Sequence, residues 1–148
     1  MGIEASFDPD ETGLHVPPAV LEQARSWYDA CGRPALAAYP GTSAPHTYMR
    51  WPIDKWVQFL RGTGRDGTAT VVFWGPADAE FAKAVADSAG DCAVLAPPTT
   101  LPEMMAMIRC FRAFVGTNSA AMHMAWLQGV PTAVFVGPKP PRTVAPLS

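Results

Sequence analysis

The chain has 148 residues, 49% of them hydrophobic and 16% charged, a balance that fills a globular core and excludes disorder. That length fits one domain, which buries about two-thirds of the surface its unfolded form would expose. The formal net charge is −2, and the basic residues are scattered without a Lys/Arg run, which excludes an electrostatic nucleic-acid binder.

Residues 1–16 are polar, acidic and without periodicity, and are expected to form a linker or arm before a domain over 17–148. The stretch "MGIEASFDPDETG" has no apolar centre and does not read as a signal peptide. "VPPAVLEQARSWYDACG" predicts a helix with Pro18 in its first turn and Gly32 as its stop. "PALAAYP" is a strand-length apolar run, followed by "GTSAPHTYMRWP", expected to be irregular because Gly41, Pro45 and Pro52 interrupt it. In "IDKWVQFLR", Ile53, Trp56, Val57 and Leu60 share one helical face.

The alternation then repeats. "TATVVFWG" predicts a strand, "DAEFAKAVADSAG" a helix with Phe81 and Val85 inward, and "CAVLAP" a third strand. "TTLPEMMAMIRCF" opens a helix with Thr100 and Glu103 at capping-box spacing. "AFVG", "SAAMHMAWLQG" and "PTAVFVGP" complete the chain as strand, helix and strand. Strictly alternating strands and helices, the strands unbroken in their apolarity, predict an α/β fold with helices on both faces of a parallel sheet. The expected strand order is 3-2-1-4-5, with right-handed crossovers.

Cys31, Cys92 and Cys110 are odd in number, widely spaced and without a CxxC pair. They read as reduced, mostly buried thiols of a cytosolic protein. His15, His46 and His123 lack metal-ligand spacing, so no metal or other cofactor is expected. No apolar run approaches the roughly 20 residues needed to span a bilayer. P-loop, GxSxG and GxGxxG patterns are absent, and the last of these argues against a nicotinamide-dependent oxidoreductase.

The run Gly116–Ala121 sits between a strand and a helix, where open α/β sheets bind ligands. Small residues there admit a ligand to the first-turn N–H groups, with Asn118 or Ser119 as the helix cap. They equally allow close packing of helix on sheet, and His123 is either a ligand contact or a hydrogen-bonded core residue.

"VGTNSAAMHMAWLQGVPTAVFVGP" resembles the C-terminal signature of glycosyltransferase family nine, the lipopolysaccharide heptosyltransferases, "vgnDTGpmHlAaalGvPvvalFGpt". "YPGTSAPHTYMRWPIDKW" and "VFWGPADAE" are similar to the family's "hpGas…KrWp…f" and "wG…E". The resemblance covers roughly residues 35–146, with the motifs in family order. It implies a GT-B fold, two Rossmann-like halves with the active site between them. This chain would be the C-terminal half, which holds a nucleotide-sugar donor, usually ADP-heptose. The missing N-terminal half, in the same chain or a separate one, would bind the lipid-linked acceptor and supply the base, so the catalytic residue is not expected here. The chain also stops short of the family's C-terminal helices. The whole enzyme would be cytoplasmic and peripheral at the inner membrane face.

Carried over residue by residue, the resemblance implies donor contacts from Thr42, Ser43, Arg50, Glu80, Asn118, Ser119, Ala120 and His123. The family's diphosphate lysine falls on Met49, with Arg50 beside it as substitute. Trp51 and Pro52 take a packing role. Asn118 stands for the family aspartate, Ser119 for its threonine, and Ala120 for a glycine. Glu80, His123 and "GVPTAVFVGP" favour a donor-binding half-enzyme; Met49, Asn118 and Ala120 favour a catalytically idle binding or interaction module of the same fold.

Overall fold

The computed structural model describes residues 15–32, 34–42, 44–64, 67 and 69–137. Five strands form one parallel sheet: β1 (Leu36–Tyr39), β2 (Thr70–Val72), β3 (Ala93–Leu95), β4 (Ala113–Thr117) and β5 (Thr132–Phe135). Their spatial order is β3-β2-β1-β4-β5, as the sequence predicts. Register is set by pairs such as Ala37 with Val71, Tyr39 with Gly116, and Thr117 with Phe135.

Successive side chains of a strand face opposite ways, and the core divides accordingly. Ala37, Tyr39, Val71 and Phe114 pack beneath α1 (Pro18–Ala30), α4 (Leu101–Ile108) and α5 (Ala120–Leu127). Ala38, Val72 and Val115 pack against α2 (Ile53–Thr63) and α3 (Ala79–Ala89). Both faces of the sheet are therefore covered, which is why its strands are apolar without interruption. Val16, at the end of the segment read as an arm, is buried in the first of these clusters; residues 1–14 lie outside the described ones.

Local signals place the helix ends. Thr100 and Glu103 form the reciprocal capping box of α4, the Thr100 N–H donating to Glu103 Oε2 at 2.7 Å. Ser119, not Asn118, caps α5, its Oγ accepting from the Met122 N–H at 3.4 Å. At the far end of α5, Gln128 Nε2 donates to the carbonyls of Met105 and Met124 and ties that helix to α4.

Two expectations need correction. The segment after β1 is not irregular: Ala44–Met49 forms 3₁₀ turns kinked at His46, geometry that suits short proline-containing stretches. The cysteines are not mostly buried. Cys31 is exposed and Cys92 and Cys110 are half-buried, because all three lie at helix ends near the surface rather than on inward faces.

Trp51 takes the packing role expected of it. Its ring stacks on Phe135 at 4.1 Å and meets Trp56 edge-on at 5.4 Å. Those contacts fix the exit of the β1–α2 segment against strand β5.

Candidate functional site

Neighbouring strands β1 and β4 send their following helices to opposite faces, so a crevice opens between their carboxyl ends. The chain leaves β1 through Pro40, Gly41 and Thr42, and leaves β4 through Asn118 and Ser119. Thr117 joins the two exits, its hydroxyl donating to the Gly41 carbonyl. A third segment arrives from β2, where Asp78 precedes α3.

Asp78 is the hub. Its residue is 4% exposed, and its carboxylate accepts from three directions. Oδ1 takes the Thr42 N–H at 3.2 Å and Arg50 Nη2 at 2.6 Å; Oδ2 takes the Tyr39 hydroxyl at 3.1 Å. The Arg50 Cζ also lies 4.8 Å from the ring centre of Phe81, so residues of one helix start hold the guanidinium by charge and by ring face. Burial pushes the Tyr39 hydroxyl up to about 12, and the neighbouring Asp78 charge and hydrogen bond push the same way. Sequence reasoning missed this hub. The available signal was a lone aspartate following Gly75-Pro76 at the carboxyl end of β2.

Of the predicted site residues, Thr42 is buried, with its hydroxyl on the His46 carbonyl at 3.1 Å and its N–H on Asp78. Ser43 lies outside the described residues. Arg50 belongs to the Asp78 network. Met49, where the resemblance placed a lysine, is buried. Glu80 is exposed in the first turn of α3.

Asn118 and Ser119 are half-buried, and Ala120 is exposed as the first residue of α5. Its right-handed helical backbone needs no glycine. His123 is exposed one turn further on, its N–H donating to the Ser119 carbonyl at 3.4 Å. It is not a core histidine.

The small-residue run therefore splits in two. Gly116 serves packing: a Cβ there would lie 2.9 Å from the Phe114 ring and 3.0 Å from the Tyr39 carbonyl. Thr117 is buried and bonded. Beyond it Asn118 and Ser119 are half-buried and Ala120 and His123 are exposed, while Ala121 and Met122 turn inward. By helix geometry the N–H groups of Ala120 and Ala121 leave the helix end without carbonyls of their own turn, a setting suited to an oxyanion. Beyond the sheet, a groove of about 170 Å³ opens between α1 and the segment after β3, lined by Trp27, Pro97, Pro98, Thr99 and Met107 among others.

A family model described as glycosyltransferase family 9 (heptosyltransferase) matches residues 9–148. A glycosyl transferase family 9 structure from Veillonella parvula superposes with a TM-score of 0.75 at 27% identity, over 88% of this chain and 39% of that one. The ADP-heptose lps heptosyltransferase II of E. coli gives 0.70 at 20% identity, over 86% and 40%. The E. coli heptosyltransferase WaaC with ADP gives 0.69 at 16%, over 91% and 43%. The chain thus spans about two-fifths of the length of these structures. No curated protein matches it. Among the described residues no helix is long and apolar enough to cross a membrane.

Proposed function

The chain belongs to glycosyltransferase family 9, and from that premise we propose that it is the donor-binding half of a heptosyltransferase-like enzyme. The observation that carries this reading is the convergence of the Thr42 turn, the Asp78–Arg50 pair and the outward start of α5 at one switch-point crevice. The ligand is an ADP-sugar, its diphosphate at the N–H groups of Ala120 and Ala121, with Arg50, Ser119 and His123 beside it. Asn118 accepts from a sugar hydroxyl, and Glu80 stands at the rim.

The groove at Trp27 and Pro97–Thr99 suits the adenine: it is apolar and about the size of one ring system. It opens at the end of β3, three strand spacings from β4, about 14 Å, so the nucleotide lies extended across the strand ends between this groove and the start of α5. The reaction is displacement at the anomeric carbon with ADP leaving. Helix-start amides and a cation offset the charge that develops on the diphosphate. An acceptor-binding half, in the same chain or a partner, supplies the base, so residues 1–148 alone transfer no sugar. Such an enzyme works in the cytoplasm, at the inner membrane face if its acceptor is lipid-linked.

Titration with ADP, followed by amide NMR, tests the reading. Shifts clustered at Thr42, Arg50, Glu80, Asn118, Ser119 and His123 are expected; saturating ADP with no localised shift overturns it. A second reading, an idle module of the same fold, is favoured by one observation: Arg50 is already neutralised by Asp78. Sugar transfer from an ADP-sugar after addition of an acceptor-binding half would exclude that module.

A further inference from the structure

Asp78 stands at the position that caps α3, where an aspartate ordinarily accepts an N–H of its own first turn. It makes no such bond. Its carboxylate turns instead to the β1 exit and takes Tyr39, Thr42 and Arg50. A charge this buried is tolerated only when paired and hydrogen-bonded, and here both oxygens are used. The Arg50 side chain, flexible in isolation, is thereby pinned between Asp78 and the Phe81 ring.

We propose that Asp78 is the positioning residue of the crevice: it holds the Arg50 cation and the Gly41–Thr42 turn in one fixed arrangement for an arriving diphosphate. The inference rests on the donor-binding reading and adds a role for a residue that itself touches no ligand. It has a counter-intuitive consequence. Asp78 carries negative charge close to where an anion binds, so electrostatics alone would have its neutralisation tighten ADP. Positioning requires the opposite sign.

The test compares ADP affinity by calorimetry in the parent chain, Asp78→Asn, Arg50→Ala and the double variant. Asparagine keeps the shape: its amide oxygen can still accept from the Thr42 N–H and its NH2 can donate to the Tyr39 hydroxyl oxygen, but the guanidinium loses its carboxylate partner. Asp78→Asn is expected to weaken ADP binding about tenfold, the worth of one charge-assisted contact. The double variant should bind no more weakly than Arg50→Ala, since both lose the same contact. Tighter binding in Asp78→Asn, or unchanged binding in a folded but less stable variant, overturns the proposal.

Should Asp78→Asn not fold, Arg50→Lys serves. It keeps the charge and loses the planar fork, so a positioned guanidinium predicts weakening and a bare charge effect predicts none. The Arg50 Nε–H resonance separates this proposal from the donor reading. If the parent binds no ADP, the donor reading falls, and slow Nε–H exchange in the parent but not in Asp78→Asn still establishes Asp78 as the anchor of Arg50. Equal exchange in both removes that role.

Discussion

A methyl group on Gly41 would land on the carboxylate of Asp78. The glycine is therefore dictated by an aspartate far away in sequence, and Gly41 is not among the positive-φ glycines of the described residues. Gly41→Ala is expected to cost about 1–3 kcal/mol, the usual penalty of forcing atoms into a filled site. Urea denaturation measures it. In an Asp78→Gly background the same change should cost much less, because the carboxylate and the Asp78 Cβ, 2.7 Å from the added methyl, are both gone. Equal costs in the two backgrounds would show that the contact does not govern residue 41.

Tyr39 gives the network an alkaline signature. Its hydroxyl is held up to about 12, against an ordinary value of 10, by burial and by Asp78. A raised folded-state value means the native form keeps the proton more tightly. The associated stability is intact below pH 10 and is lost as pH rises from there through 12. An absorbance titration of the phenols should show a step near pH 12 in the parent that Tyr39→Phe lacks. Stability between pH 10 and 12 should fall less steeply in that variant. A parent without the late step would contradict the burial of this hydroxyl against a carboxylate.

Much of the framework was legible because its causes are local. Thr100 and Glu103 announce a helix start by spacing alone, and both capping bonds form. The β-branched run at 70–72 and the apolar runs around it demand a sheet covered on two sides. The site was less legible because its causes are long-range. Nothing near Asp78 in sequence reveals that it serves Tyr39, 39 residues away, rather than its own helix. Gly116 carries the same lesson. As one of a run of small residues it reads as a place for a ligand, yet the Phe114 ring and the Tyr39 carbonyl fill the space beside it. Strand register decided that, and register is not written in any one stretch. His123 went the other way: composition left it between core and ligand contact, and the turn of α5 sets it outside.

Trp51 links the β1–α2 segment to the far edge of the sheet through the Phe135 ring, with planes inclined by 27°. Phe59 and Trp56 close the cluster edge-on. Trp51→Ala removes the stacked face and leaves Phe135 half uncovered. It should cost about 2–3 kcal/mol, toward the low end for aromatic truncations because Trp51 is only half-buried. Trp51→Phe should recover most of the loss. A thermal melt reads both, and a cost below about 0.5 kcal/mol, the level of an ordinary surface change, would mean that the stack contributes nothing.

Met49→Lys discriminates between what the resemblance implies and what packing dictates. The family pattern puts a lysine at this position, and a lysine reaching the crevice would tighten ADP binding. The structure gives residue 49 another setting. Met49 is 9% exposed, and a Cβ on Gly137 would lie 3.6 Å from its Cε, so the side chain runs toward the end of β5. Arg50, one residue on, takes the polar direction and meets Asp78. An ammonium at residue 49 would have to be buried without a carboxylate or rotate the whole 3₁₀ turn that precedes it. Either course costs about 1–3 kcal/mol. The expected result is lower stability in denaturant with ADP affinity unchanged or weaker, since turning the segment pulls Arg50 off Asp78. Unchanged stability together with about tenfold tighter ADP binding, one added charge-assisted contact, would show that residue 49 faces the diphosphate and that Arg50 is not its replacement.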